Sequence, residues 1–218
     1  MIPTPTLPLL RASVRLPFSY ECEAVMRIGV IGTAGRREDA PKMSMALYAA
    51  MRKRLDELLH CVPVLERNLQ SGGAAWADHL AVDVFNDKKA ASLTLHFPAP
   101  FFRDILTSTP TFAYTDVGRV ANLYHAEFTK HLLLSGSLVE SLDDIDLALG
   151  QGAKFTVSDG FHARNFLVGQ CDWLIAFTFG EGAVPKDGGA KHCWDHSLAP
   201  KKTHIPLGSL LTAQQDLF

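Results

Sequence analysis

The chain has 218 residues, of which 47% are hydrophobic and 20% are charged, and this balance is typical of one globular domain with a sizeable core. The formal net charge of −2 disfavours broad, nonspecific binding to nucleic acid. The four cysteines are widely separated and form no C-x-x-C pair, so the sequence signals neither a zinc knuckle nor a disulfide framework. A reducing cytoplasm is the expected location.

Residues 1–25 precede the first convincing strand and contain four prolines. They lack the apolar segment and the cleavage site of a signal peptide, and no run in the chain approaches the ~18 apolar residues of a membrane span. We expect a soluble protein without membrane contact. Residues 1–25 are interpreted as an N-terminal extension, either an extended arm or a disordered segment, and residues 26–218 as one domain.

Short apolar, β-branched runs alternate with helical patterns along most of the chain. The predicted strands cover residues 27–32, 69–71, 93–97, 155–157, 173–178 and 203–207. This alternation predicts an α/β fold, namely a Rossmann-like parallel sheet of about five strands flanked by helices on both faces.

The alternation lapses between residues 101 and 154, where helical patterns cover residues 118–134 and 138–149. We interpret this segment as a mainly helical insertion over the sheet edge. It could serve as a lid, as a homo-oligomer interface or as simple packing.

A glycine pair, Gly72 and Gly73, follows the second predicted strand. Adjacent glycines allow unusual backbone dihedrals and let a ligand approach the main chain. A helix is predicted from Ala75 to about Phe85, with Asp78 in its first turn, and its N-terminus would favour a phosphate or carboxylate. The alternatives are an ordinary glycine-closed loop and a capping role for Asp78.

Two further strand-to-helix loops have related features. The loop after the first strand carries Gly32, Gly35 and Arg36, although its glycines do not form the G-x-G-x-x-G dinucleotide motif. The loop after the strand at residues 173–178 carries glycines between residues 180 and 189. In open parallel sheets such loops meet at the carboxyl ends of the strands, where ligands bind.

A polar set lies early in the helix expected after Ser158 and Asp159, either of which can cap it. Phe161, Phe166 and Val168 are predicted to pack against the core, and this leaves His162, Arg164 and Asn165. The last two side chains could clamp an anion or could cover the protein surface.

An ordered set of motifs resembles the SLOG superfamily over roughly residues 27–207, without the insertion. The set comprises Ser71-Gly72-Gly73-Ala74 with Asp78 and Ala81, Arg164-Asn165, residues 172–177, and Asp187-Gly188-Gly189-Ala190-Lys191 leading to residues 204–207. That Rossmann-like group includes the DNA-processing protein A family and the LOG nucleotide phosphoribohydrolases. The resemblance implies a nucleotide or nucleotide-derived ligand bound over the glycine-rich loops.

The LOG enzymes share a P-G-G-x-G-T-x-x-E motif whose glutamate serves N-glycosidic hydrolysis, and this chain does not reproduce it. Glu181 and Asp187 are the nearest candidate catalytic carboxylates. Either could polarise a ribose hydroxyl or position a water, and either could be a solvated loop acid.

Other chemistry is weakly signalled. His192 and His196 lack the glutamate of an H-E-x-x-H zinc motif, so a helix surface is the interpretation. Residues 143–146 lack the glycine and the later glutamate of a calcium loop and are interpreted as a helix face. Ser71 has no evident partner base for a serine hydrolase.

The sequence thus predicts a nucleotide-binding domain that requires no cofactor and could act as a sensor. The phosphates of the ligand would lie near residues 32–36 and 72–74, and its sugar near residues 187–191. An N-glycosidic hydrolase or transferase is the first alternative, and a DNA-binding module, which the charge balance disfavours, is the second. The candidate ligand-binding residues are Gly32, Thr33, Gly35, Arg36, Ser71, Gly72, Gly73, Ala74, Asp78, Arg164, Asn165, Thr178, Gly180, Gly188, Gly189 and Lys191.

Overall fold

The computed structural model describes residues 25–215, so the predicted N-terminal extension lies almost entirely outside the described residues. The strands are β1 (Met26–Gly32), β2 (Arg67–Ser71), β3 (Ser92–Phe97), β4 (Phe101–Arg103), β5 (Pro110–Phe112), β6 (Lys154–Val157), β7 (Trp173–Thr178) and β8 (Lys201–Pro206). The helices are α1 (Met45–Leu59), α2 (Leu80–Asn86), α3 (Asp116–Leu134), α4 (Ser141–Gly150), α5 (Gly160–Val168), α6 (Gly188–His196) and α7 (Leu207–Gln215). Short 3-10 helices cover Arg37–Lys42 and Val64–Glu66.

Six strands form one parallel sheet in the order β6-β3-β2-β1-β7-β8. The predicted α/β class with a Rossmann-like parallel sheet is therefore confirmed, with six strands rather than about five. The chain proceeds from β1 toward β2 and β3 on one side and places β7 and β8 on the other side. The strand order consequently reverses between β1 and β7, and a crevice forms outside the carboxyl ends of these two strands.

The sheet is covered on both faces because successive side chains of a strand point to opposite sides. In β7, Trp173, Ile175 and Phe177 join the larger apolar cluster, which includes side chains of α1 to α4 and α7. Leu174 and Ala176 join a smaller cluster with α5 and α6. All six residues of β7 are buried, which explains why this strand has a continuous apolar sequence.

The segment between β3 and β6 contains α3 and α4, as predicted for the insertion. It begins with an antiparallel hairpin, β4 and β5, that the sequence analysis missed. These strands are only three residues long each, too short to give a clear period-two pattern. Within the described residues, no helix combines the length and apolar character needed to cross a membrane.

The predicted start of the helix after the glycine pair is wrong. Residues 75–79 form a turn, and α2 begins at Leu80 rather than Ala75. Trp76 is one reason, since its φ of 63° is a left-handed value that a right-handed helix cannot contain. Asp78 therefore precedes the helix instead of lying in its first turn, and Gly72 and Gly73 are not followed directly by a helix N-terminus.

Candidate functional site

A cavity of about 600 Å³ opens where the strand order reverses. Its walls come from the loop after β1, the loop after β7, the start of α6, and parts of α3 and α5. The volume lies within the range of ~300–1,000 Å³ that is usual for small-ligand sites. The two loops at its floor are those that follow the central strands, as expected for a ligand crevice in this class of sheet.

Asp78 connects three of the surrounding segments. Its Oδ1 accepts a hydrogen bond from the main-chain N–H of Gly32 at 3.1 Å, and its Oδ2 forms an ion pair with Nη1 of Arg164 at 2.7 Å. The Ser71 hydroxyl donates to the Asp78 carbonyl oxygen at 2.7 Å. Asp78 and Arg164 are 2% and 7% exposed, so this is a buried pair that joins the ends of β1 and β2 to α5.

The guanidinium of Arg164 covers Gly72. A Cβ atom at Gly72 would overlap this group, so glycine is required here to make room for the protein's own arginine. The Nε of Arg164 is buried and has no hydrogen-bond partner within the described residues. Arg164 itself is among the cavity walls, so the buried ion pair lies directly beside the cavity.

Gly32 allows the main chain at the end of β1 to lie very close to the main chain at the end of β7. A Cβ atom at this position would collide with the carbonyl oxygen of Phe177, because Thr33 N donates to that oxygen at 2.9 Å. The Thr33 carbonyl then accepts from Ala77 N at 3.3 Å. The loops after β1, β2 and β7 are thus joined through their main chains.

Basic side chains outnumber acidic ones among the cavity walls once the Asp78–Arg164 pair is set aside. Four basic residues stand against three acidic residues. The basic residues are Arg36, Arg37, Lys42 and Lys186, and the acidic residues are Glu38, Asp39 and Asp187. Asp39 already accepts a hydrogen bond from the Thr33 hydroxyl at 2.7 Å. The walls therefore carry a surplus of one positive charge, which is compatible with an anionic ligand.

Arg36 lies between two aromatic rings. Its guanidinium carbon is 4.9 Å from the ring centre of Tyr124 on α3 and 5.2 Å from that of Phe161 on α5. A smaller apolar cavity adjoins this group and is lined by both rings together with Gly72 and Gly73. This second cavity has a volume of only about 10 Å³, too small for a ligand group, so the packing of Arg36 against the two rings closes this side of the site.

The N-terminus of α6 also borders the cavity, since residues 187–190 are among its walls. The first main-chain N–H groups of a helix lack intrahelical partners and favour an anion. Asp187 occupies the N-cap position, but its side chain makes no capping hydrogen bond. Asn165 on α5 fixes this helix start, because its Nδ2 donates to the Gly189 carbonyl at 3.1 Å.

The cavity brings together most of the candidate residues from the sequence. Those among its walls are Gly32, Thr33, Arg36, Ala74, Asp78, Arg164, Asn165, Thr178, Gly180, Asp187, Gly188 and Gly189. Gly72 and Gly73 line the adjoining apolar cavity instead.

Four candidates lie elsewhere. Ser71 is fully buried and supports the turn. Its hydroxyl donates to the Asp78 carbonyl oxygen and accepts from the main-chain N–H of Gly73 at 3.1 Å. Gly35 is adjacent to the Trp76 ring. Glu181 is exposed and Lys191 pairs with Asp195, and neither is among the cavity walls.

The pattern assigned to α5 is partly wrong. Phe166 is 51% exposed, whereas Arg164 and Asn165 are buried. Of the predicted polar set, His162 is exposed, whereas Arg164 and Asn165 point inward. The buried ion pair of Arg164 with Asp78 reverses the usual relation between polarity and burial. Asp159 occupies the N-cap position of α5, but its side chain forms no capping bond.

Two buried histidines contact β2 and the glycine turn that follows it. His125 on α3 lies with Nε2 2.9 Å from the carbonyl oxygen of Gly73, and burial lowers the pKa of His125 to about 3. His96 contacts Gln70 and Thr156, and burial together with the charge of Arg164 lowers the pKa of His96 to about 4. Both side chains are therefore neutral at pH 7. The hydrogen bond of His125 joins the helical insertion to the glycine turn.

Sequence reasoning missed Lys42, Tyr124 and Lys186, which line the cavity together with Arg37. Arg37 has a φ of 47°, a left-handed value that costs free energy in a residue other than glycine. An exposed loop arginine or lysine carries no sequence signal of its own. Tyr124 lies in the helical insertion, which joins the site only through the packing of α3.

The fold and the site together define an α/β protein with a ligand-sized cavity at the point where its parallel sheet reverses strand order. The chain belongs to the same family as the "Uncharacterized protein R261" of Acanthamoeba polyphaga mimivirus, with which it shares 32% identity over 192 residues. The matched region covers 85% of this chain and 98% of the viral protein. No family model and no solved structure matches the chain.

Proposed function

We propose that the chain is a SLOG-like domain that binds a nucleotide or a nucleotide-derived ligand in the cavity at the β1–β7 reversal. The observation that carries this proposal is the position of the cavity, whose floor is formed by the loops after the two central strands. Its excess of basic walls and the adjacent α6 N-terminus suit a phosphate. The binding needs no further cofactor. A cytoplasmic location and a homo-oligomeric state stay predictions.

The orientation of the ligand follows from the chemistry of the cavity walls. The phosphate would lie near Lys186 and the N-terminus of α6, where basic charge and main-chain N–H groups are both available. The base would lie toward Tyr124, an aromatic ring among the cavity walls.

Isothermal titration against nucleotides tests this proposal. The panel contains AMP, ADP, ATP, NAD and ADP-ribose, with adenosine as the ligand that lacks phosphate. We expect at least one phosphate-bearing compound to bind about tenfold or more tightly than adenosine, a difference of ~1.4 kcal/mol. Arg36→Ala should weaken that binding, whereas Lys53→Ala, an exposed lysine on α1, should leave it unchanged. A folded protein that binds none of the panel would overturn the proposal.

Hydrolysis of an N-glycosidic bond is a second candidate function, favoured by the position of Asp187. Its carboxylate lines the cavity and makes no capping bond, so it is available to orient a water toward the ribose C1′. The water oxygen would bond to C1′ as the bond to the base breaks, and one proton of that water would pass through Asp187 to the departing base. The products would be the free base and a ribose phosphate.

Chromatography after incubation with nucleoside monophosphates separates binding from hydrolysis. If the chain is a hydrolase, free base accumulates, and Asp187→Asn lowers the rate of its release at least ~100-fold. Glu181→Gln keeps the wild-type rate, because Glu181 lies outside the cavity. Recovery of the intact ligand only would rule this function out and leave the sensor interpretation.

A further inference from the structure

Three side chains converge where α2 packs against α4, away from the ligand cavity. His79 Nε2 lies 3.4 Å from Asp144 Oδ2 and 3.7 Å from Asp83 Oδ1. One nitrogen or oxygen from each residue lies within 4.8 Å of the other two. None of the three residues is among the walls of either cavity. The proposed function therefore leaves this cluster without a role.

The imidazole of His79 is only 1% exposed, yet neither ring nitrogen has a strong hydrogen bond. Its Nδ1 has no partner within the described residues, and the 3.4 Å separation of Nε2 from Asp144 exceeds the usual ~2.7–3.2 Å. Buried polar atoms without good partners cost free energy. The ring nevertheless directs Nε2 at two carboxylates.

Residues outside the cluster hold the carboxylate of Asp83 and the main chain of Asp144. The Tyr48 hydroxyl donates to Asp83 Oδ2 at 2.7 Å, and this leaves Oδ1 facing His79. Asn86 Nδ2 donates to the carbonyl oxygen of Asp144 at 3.1 Å. Such support from a second layer of residues orients the ligands of metal sites.

Cationic side chains near the cluster are engaged elsewhere. Arg52 interacts electrostatically with Asp83, but its guanidinium pairs with Asp56 and Asp87. Asp83 and Asp144 each retain about a quarter of their side-chain exposure, so an ion could enter from solvent. A positive charge between the two carboxylates would stabilise both of them.

We propose that His79, Asp83 and Asp144 bind a divalent transition-metal cation of the zinc type. The separations of 3.4 and 3.7 Å are close to the about 3.4 Å expected between ligands of a tetrahedral ion with bonds of about 2.1 Å. One imidazole and two carboxylates suit Zn²⁺ or Mn²⁺ better than Mg²⁺ or Ca²⁺, which prefer oxygen ligands alone. Three protein ligands leave one position for water.

The bound cation would have a structural consequence for the neighbouring site. His79 directly follows Asp78, and Asp144 belongs to the helical insertion. A metal bridge would therefore fix the insertion to the turn that positions the Asp78–Arg164 pair. This role is independent of which ligand the cavity binds.

Metal titration of the chelator-treated protein tests the proposal. We expect about one equivalent of Zn²⁺ to be retained after dialysis, with a rise in Tm of about 5–10 °C at ~100 times the Kd. Mn²⁺ should act more weakly, and Mg²⁺ should have little effect.

Matched variants locate the binding. Asp144→Asn and His79→Gln should each lose the retained metal and the rise in Tm, while Asp143→Asn, one residue away on α4, should keep both. His192→Gln should also keep both, which excludes the histidine rings on α5 and α6 as the site. Circular dichroism confirms folding before each titration. Wild-type protein that retains no metal, or equal retention by Asp144→Asn, would overturn the proposal.

Discussion

Asp78→Asn is expected to lower the free energy of unfolding by about 3–5 kcal/mol, because it leaves the buried guanidinium of Arg164 without its counter-charge. The asparagine is nearly isosteric and can still accept from Gly32 N, so the loss reports chiefly on the ion pair. Urea denaturation followed by circular dichroism measures the change. Ligand binding should weaken in parallel, because Arg164 would no longer be held above Gly72.

A double-mutant cycle separates the pair from its surroundings. Arg164→Met alone should be similarly destabilising, whereas the double variant should cost clearly less than the sum of the two single changes. Glu57→Gln is the matched control, since it breaks an exposed pair with Arg54 on α1 and should cost at most about 1 kcal/mol. Additive single and double variants would show that Asp78 and Arg164 do not depend on each other.

Gly32→Ala is expected to destabilise the protein by about 3 kcal/mol or more, because the added methyl group collides with the Phe177 carbonyl rather than with a movable side chain. The main chain would have to separate where β1 and β7 meet, and the hydrogen bond from Thr33 N to Phe177 would be lost. Ligand affinity should fall with stability, since both central loops form the cavity floor.

Gly150→Ala provides the comparison for this substitution. Gly150 ends α4, and an added Cβ there meets no atom within 4 Å. The change should be neutral or slightly stabilising, by less than about 1 kcal/mol, because alanine favours the helix. Equal unfolding free energies for Gly32→Ala and Gly150→Ala would contradict the close approach at Gly32.

The central strands were predictable from the sequence because burial on both faces requires apolar side chains throughout. β1 and β7 lie within one residue of their predicted bounds for this reason. The six strands and the two helices of the insertion follow from the same periodicities. The hairpin of β4 and β5 escaped prediction because three residues carry too little pattern.

The candidate site was less predictable because its contacts join distant parts of the chain. Asp78 and Arg164 are 86 residues apart, and no local pattern indicates that they pair. Once they do, Arg164 becomes a core residue and Phe166 an exposed one, opposite to what polarity alone predicts. The cluster of His79 with Asp144 is similarly hidden, because these two residues are 65 positions apart.

The sequence could not decide which of the two candidate carboxylates lines the cavity. Glu181 and Asp187 lie on the same loop, and their sequence surroundings are equally rich in glycine. Only Asp187 lines the cavity, because it lies at the N-cap position of α6. The path of the loop between β7 and α6 decides this outcome, and composition does not encode that path.

Hydrogen exchange with and without the tightest ligand of the titration panel tests the location of binding most directly. A ligand at the β1–β7 reversal should slow exchange in peptides covering residues 32–42 and 178–190 by about tenfold or more, since binding reduces local opening. Peptides from the β4–β5 hairpin and from the amino ends of the strands should exchange unchanged. Protection confined to those distant peptides, with residues 32–42 and 178–190 unaffected, would contradict a nucleotide site at this cavity.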